Sequence, residues 1–191
     1  MAFGSKYFGW LAAMGIVLAG GWFLLPVGYE TLIQWMAPLM GMYVRPTLVM
    51  VNVLLVNPLT NPVMAGIWIG AGFIGGALAG TKKGAFVVGF VAWIFCIGIA
   101  GFCLIQMFMT GISLGTFPPI PPGTSLVDIL SIPVIQDVIG GIMPMIAGFA
   151  GGGGGLTDIF SMVVPLLVWF FVPVVLAVVG GIIGATVRPK E

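Results

Sequence analysis

The chain has 191 residues, of which six are Lys or Arg, five are Asp or Glu and none is His, while hydrophobic residues make up 60%. Charged residues at 6% compare with roughly 25% in an ordinary soluble domain and are too few to cover a water-facing surface. A net charge of +1 supplies neither a basic patch for nucleic acid nor an acidic tract for cations, so the partner to expect is the lipid bilayer. At this length residues 1–191 read as a single membrane domain.

In chain order, the first apolar run is Phe8 to Val27. No small-residue cleavage site follows it, so it reads as a retained span and not as a signal peptide. Residues 30–57 are also apolar, but Pro38, Gly41 and the pair Arg45-Pro46 interrupt them, so neither half reaches the ~20 residues that a span needs. A continuous crossing here would also hold Arg45 near mid-bilayer, at about 2.5–3.5 kcal/mol. A bent interfacial or re-entrant helix pair is the cheaper arrangement. Pro62 to Gly80 is the second span, with 19 residues, or about 28 Å at the helical rise, which matches the hydrocarbon core. Gly84 to Thr110 is the third.

The next segment, 112–160, opens with F-P-P-I-P-P-G at 117–123, too poor in amide donors for a helix and suited to polyproline geometry. Within it 138–156 has nearly the hydropathy of a span, but Pro144 and the five glycines Gly151 to Gly155 oppose a continuous helix. Val163 to Val187 is the fourth span. The expectation is therefore all-α: a polytopic integral membrane helical bundle of four transmembrane helices, or five if 138–156 crosses, plus two outer-side segments that are re-entrant or interfacial. Lys6, Lys82, Lys83, Arg188 and Lys190 then share one side. By the retention of positive charge on the inner face, that side is cytoplasmic, which makes this a multi-pass protein of the cell (plasma) membrane with both termini inside.

GGALAGTKK at 75–83 aligns with GGIIGATVR at 180–188, which raises tandem halves, 1–83 and 84–191, in the same orientation. Small residues carry the helix-packing signal. Gly66 and Gly70, Gly76 and Gly80, and Gly180 and Gly184 form three G-x-x-x-G pairs, the spacing that lets membrane helices approach closely where lipid removes the hydrophobic driving force. Such faces serve packing within the chain, an interface between subunits, or both.

Polar groups inside the apolar segments are few. Asn52, Asn57, Asn61 and Gln106 are the candidates for a polar lining. Asn57-Pro58 and Asn61-Pro62 carry the pattern of a helix cap followed by proline in the first turn. On the outer side Arg45 has Glu30, Asp128 and Asp137 as ion-pair candidates, or it snorkels to headgroups. Cys96 and Cys103 lie seven residues apart on one span, about 10 Å along a helix and too far for a disulfide. They read as small packing residues.

The absence of histidine excludes imidazole-ligated haem, His-based zinc or copper sites and His-based triads. No nucleophile has a base beside it, no metal or cofactor site is expected, and no carboxylate falls within a span to carry protons or sodium. The functional expectation is a non-enzymatic integral membrane subunit. It would pack through glycine-rich helix faces into a larger membrane assembly, either as a homo-oligomer or beside other membrane subunits. The alternative is a passive channel or small transporter for a neutral or lipid-like solute.

Overall fold

The computed structural model describes residues 3–111, 127, 130–133, 135–136, 139–140 and 156–189. Among them all regular structure is helical: α1 (Phe3–Phe23), α2 (Val27–Met40), a short 3-10 turn (Gly41–Tyr43), α3 (Val44–Leu55), α4 (Pro62–Ala79), α5 (Lys82–Gly111) and α6 (Leu156–Val187). Proline and glycine set most of the boundaries. Helix α1 stops at Phe23, ahead of Pro26, and α4 begins with Pro62 in its first turn, where the missing amide proton costs nothing. Asn61 caps that start, its Oδ1 accepting from the amides of Val63 at 3.1 Å and Met64 at 3.2 Å. At the other end of α4, Gly80 adopts φ 69° and donates its amide to the Gly76 carbonyl at 2.8 Å, a left-handed closure that favours glycine.

Close approaches fix the direction of each helix. A Cβ on Gly9 would lie 2.5 Å from the Gly75 carbonyl oxygen and one on Gly20 would lie 2.9 Å from Ile67, so α1 and α4 are antiparallel. Gly181 adjoins Ala85, Gly89 adjoins Ala177 and Val178, and the Trp93 indole Nε1 donates to the Phe170 carbonyl at 3.1 Å, so α5 and α6 are antiparallel. Gly72 against Ala177 and Gly76 against Gly181 make α4 and α6 parallel. The four long helices thus alternate in direction along the chain. The start of α1, the end of α4, the start of α5 and the end of α6 come together. Lys82, Lys83 and Arg188 lie at this end, and Lys6 lies in the opening turns of α1.

Helices α2 and α3 fold back on each other at the opposite end. Arg45 Nη2 donates to Glu30 Oε1 at 2.7 Å, whereas one straight helix would hold these residues about 22 Å apart. The reversal occurs at Gly41, whose φ of 73° lies in the left-handed region. This turn rests beside the last part of α5: a Cβ on Gly41 would meet Thr110 at 3.3 Å, and the Tyr43 and Phe102 rings lie 6.1 Å apart.

Four stretches are long and apolar enough to cross a membrane: Val27–Leu55, Pro62–Ala79, Lys82–Thr110 and Phe170–Val187. This set differs from the one expected from sequence. Length and composition admit Val27–Leu55 and leave Tyr7–Phe23 among the shorter apolar helices. Direction within the bundle distinguishes these two segments. Helix α1 runs the full depth of α4, and the α2–α3 segment leaves and returns at the same end of the bundle. It therefore makes no net traverse of the bundle, whereas α1 runs from one end of it toward the other. The stretch 138–156 lies almost wholly outside the described residues, but α6 starts at the end where α5 finishes.

The core is apolar. Trp68, Val17, Val53, Val88, Ala71, Cys96 and Ala177 are buried at its centre, with Trp10, Phe170 and Val174 packed around them. The outer surface is equally apolar. Phe86, Phe90, Ile94, Phe102, Ile105 and Met109 are exposed along α5, a continuous face that suits lipid and not water.

Candidate functional site

The six glycines expected to carry helix packing divide into three groups. Gly76 lies directly against the backbone of Gly181, Gly180 against that of Ile69 and Gly184 against that of Phe73, all across the α4–α6 interface. Gly80 is not at an interface of this kind; it closes α4. Among the described residues nothing stands within 4 Å of where a Cβ on Gly66 or Gly70 would lie, and their face of α4 carries exposed Val63, Ile69, Phe73 and Ile74.

The residues that sequence reasoning missed are Gly72, at this same interface, and Gly75, at the one between α1 and α4. Gly72 presses on the backbone of Ala177 across α4–α6, and a Cβ on Gly75 would lie 2.8 Å from the Gly9 carbonyl oxygen across α1–α4. The working stripe on α4 is therefore Gly72 with Gly76, one helical turn toward the N-terminus from the expected Gly76 with Gly80. Both are G-x-x-x-G pairs, and only the partner helix distinguishes them. The facing pairs Gly72–Ala177 and Gly76–Gly181 are both separated by 105 residues, the shift that also aligns GGALAGTKK with GGIIGATVR.

The four polar candidates do not form one lining. Asn61 is occupied as the α4 cap. Asn57 is buried, and its Oδ1 accepts from the Leu59 amide at 2.9 Å, which fixes the turn between α3 and α4. Gln106 is half-buried on α5, where its backbone carbonyl accepts from the Thr110 hydroxyl at 2.8 Å. Asn52 differs from all three. It is 0% exposed, and neither its Oδ1 nor its Nδ2 meets a hydrogen-bond partner among the described residues.

Arg45 pairs with Glu30, and its guanidinium carbon sits 4.7 Å from the centre of the Trp22 ring, so α1, α2 and α3 are tied together by one side chain. The two charged side chains remain 36% and 40% exposed. An ion pair that open contributes about 0.2–1 kcal/mol, with a comparable cation–π increment. Asp128 and Asp137 lie outside the described residues. No protein-family model, characterised protein or solved structure matches this chain.

Among the described residues no three Cys, Asp or Glu side chains gather to hold a metal ion. Cys96 and Cys103 are free and buried on α5. Among the described residues the arrangement offers close helix packing at small residues, an enclosed and unpaired carboxamide at Asn52, and the Glu30–Arg45 ion pair.

Proposed function

We propose that the chain is a non-enzymatic membrane subunit that joins a larger assembly through the Gly66 and Gly70 face of α4. One observation carries this reading. The chain's own helices use Gly72, Gly75, Gly76, Gly180, Gly181 and Gly184, whereas Gly66 and Gly70 keep open space on a helix flanked by exposed apolar side chains. A second helix can approach there as closely as α6 approaches Gly76, and such backbone proximity is a main source of helix affinity in lipid. The occupant is a second copy or another membrane subunit.

The native mass after gentle extraction tests this. Wild type is expected to run as a multiple of the 19.9 kDa chain, or with stoichiometric partners. The double variant Gly66→Leu, Gly70→Leu is expected to fall to the single-chain mass while keeping its thermal stability. A wild-type protein of single-chain mass, or a double variant with unchanged mass, would sink the proposal.

We also propose the orientation. Lys82, Lys83 and Arg188 gather at one end of the bundle, which the positive-inside rule makes cytoplasmic. The α2–α3 hairpin then lies at the outer face as a re-entrant or interfacial element. In a Cys96→Ala, Cys103→Ala background, an impermeant thiol reagent applied to intact cells is expected to label Met42→Cys and not Lys83→Cys. The reverse pattern would invert the topology.

The shared 105-residue shift supports reading the two halves as related, with α4 and α6 as counterparts. The channel alternative is weaker, because Asn57 and Asn61 already spend their side-chain oxygens on backbone amides. Flux through liposomes is its test.

A further inference from the structure

Three side chains in the described interior are buried and polar: Thr47, Asn52 and Asn57. Two are satisfied from within, the Thr47 hydroxyl donating to the Tyr43 carbonyl at 2.7 Å and Asn57 Oδ1 accepting from Leu59. The third is not. Asn52 sits in the last turn of α3, fully enclosed, with a carboxamide that offers two donors and an acceptor and engages none of them among the described residues.

Its neighbours along the chain supply no side-chain partner. The residues one turn away on α3 and just beyond it, Leu48, Val49 and Val56, bring only apolar side chains. Two carbonyls of this helix end are already in use: Asn52's own accepts from the Val56 amide at 3.2 Å, and that of Val53 accepts from the Trp68 indole at 3.1 Å. Leaving an amide unpaired in an apolar interior is strongly unfavourable, because the hydrogen bonds it made to water are lost and not replaced. An enclosed polar partner removes that cost, as buried waters do for otherwise unsatisfied groups.

We propose that Asn52 anchors an internal binding site, at the inner end of α3, for a neutral guest that both donates and accepts hydrogen bonds: a water molecule. The class follows from the site. A cation would find one carbonyl-type oxygen and no carboxylate, far short of the oxygen shell that hard cations need. An anion would find no positive charge. Arg45 is seven residues earlier, about 10 Å along α3, and it is neutralised by Glu30. A closed site of this kind needs no path across the bilayer, so it stands apart from both the assembly reading and the channel reading.

The test is proton-detected solid-state NMR of the 15N-labelled protein in lipid bilayers, recording magnetisation transfer from water. The buried Trp68 indole proton, which donates to Val53, is the dry internal reference, and Asn52→Asp assigns the carboxamide signal by deleting it. A water cross-peak at the Asn52 amide protons with none at the Trp68 indole proton is the expected result. An Asn52 carboxamide as dry as Trp68 would overturn the proposal.

Discussion

Gly76→Leu is expected to unseat α6 from α4 and to destabilise the bundle. A Cβ at position 76 would run directly into the backbone of Gly181, and no rotamer can move a backbone aside. The clash can be relieved only if the two helices separate. Separation also lifts Gly72 from Ala177 and Gly184 from Phe73, because these contacts share one interface. Overpacking of well-filled interiors costs about 1–3 kcal/mol when side chains can shift. Here they cannot, so the expected loss is about 3 kcal/mol or more, a fall in Tm on the order of 6–12 °C for a chain of this size.

Gly66→Leu provides the contrast. It sits on the same helix with open space around it, and it is expected to leave the Tm of the monodisperse single chain unchanged. Thermal unfolding of both variants in one detergent checks the pair. Equal Tm values for Gly76→Leu and wild type would mean that α4 and α6 do not meet along this stripe.

The contrast also marks how far the sequence was legible. Asn61 and Pro62 announce the start of α4 because a side-chain acceptor ahead of a residue without an amide proton is a local signal. At the other end Gly80 closes the helix for an equally local reason, its positive φ. The spans expected at 62–80 and 84–110 therefore lie within a few residues of α4 and α5. Which glycine face does the packing is not local. Gly66 with Gly70, Gly72 with Gly76 and Gly76 with Gly80 have the same spacing on one helix, and they differ only in what stands opposite.

The α2–α3 segment shows the same limit. Pro38, Gly41 and Arg45-Pro46 signal an interruption, but Pro46 is accommodated in the first turn of α3, and the reversal itself falls at Gly41. The Glu30–Arg45 pair was a legible candidate because few charges are available to pair. The orphaned state of Asn52 was not, since nothing in the residues around it distinguishes a satisfied asparagine from an unsatisfied one.

The second large effect is expected at Trp68, which is 0% exposed and joins α4 to α3 through both volume and a hydrogen bond. Val53 is among the last residues of α3, where a helix cannot supply donors for its own carbonyls. The Trp68 indole supplies one from a different helix. Trp68→Phe keeps most of the ring but removes that donor, leaving a buried carbonyl unpaired at about 1–3 kcal/mol. Trp68→Ala removes the ring as well and is expected to cost about 3–5 kcal/mol. The two variants thus separate hydrogen bonding from packing. The phenylalanine variant should also loosen α3 selectively, seen as faster hydrogen exchange across Val44–Leu55 than across Lys82–Gly111. If Trp68→Phe matches wild type in both Tm and exchange, α3 is held by apolar contact alone, and the indole bond contributes nothing to seating the hairpin on the bundle.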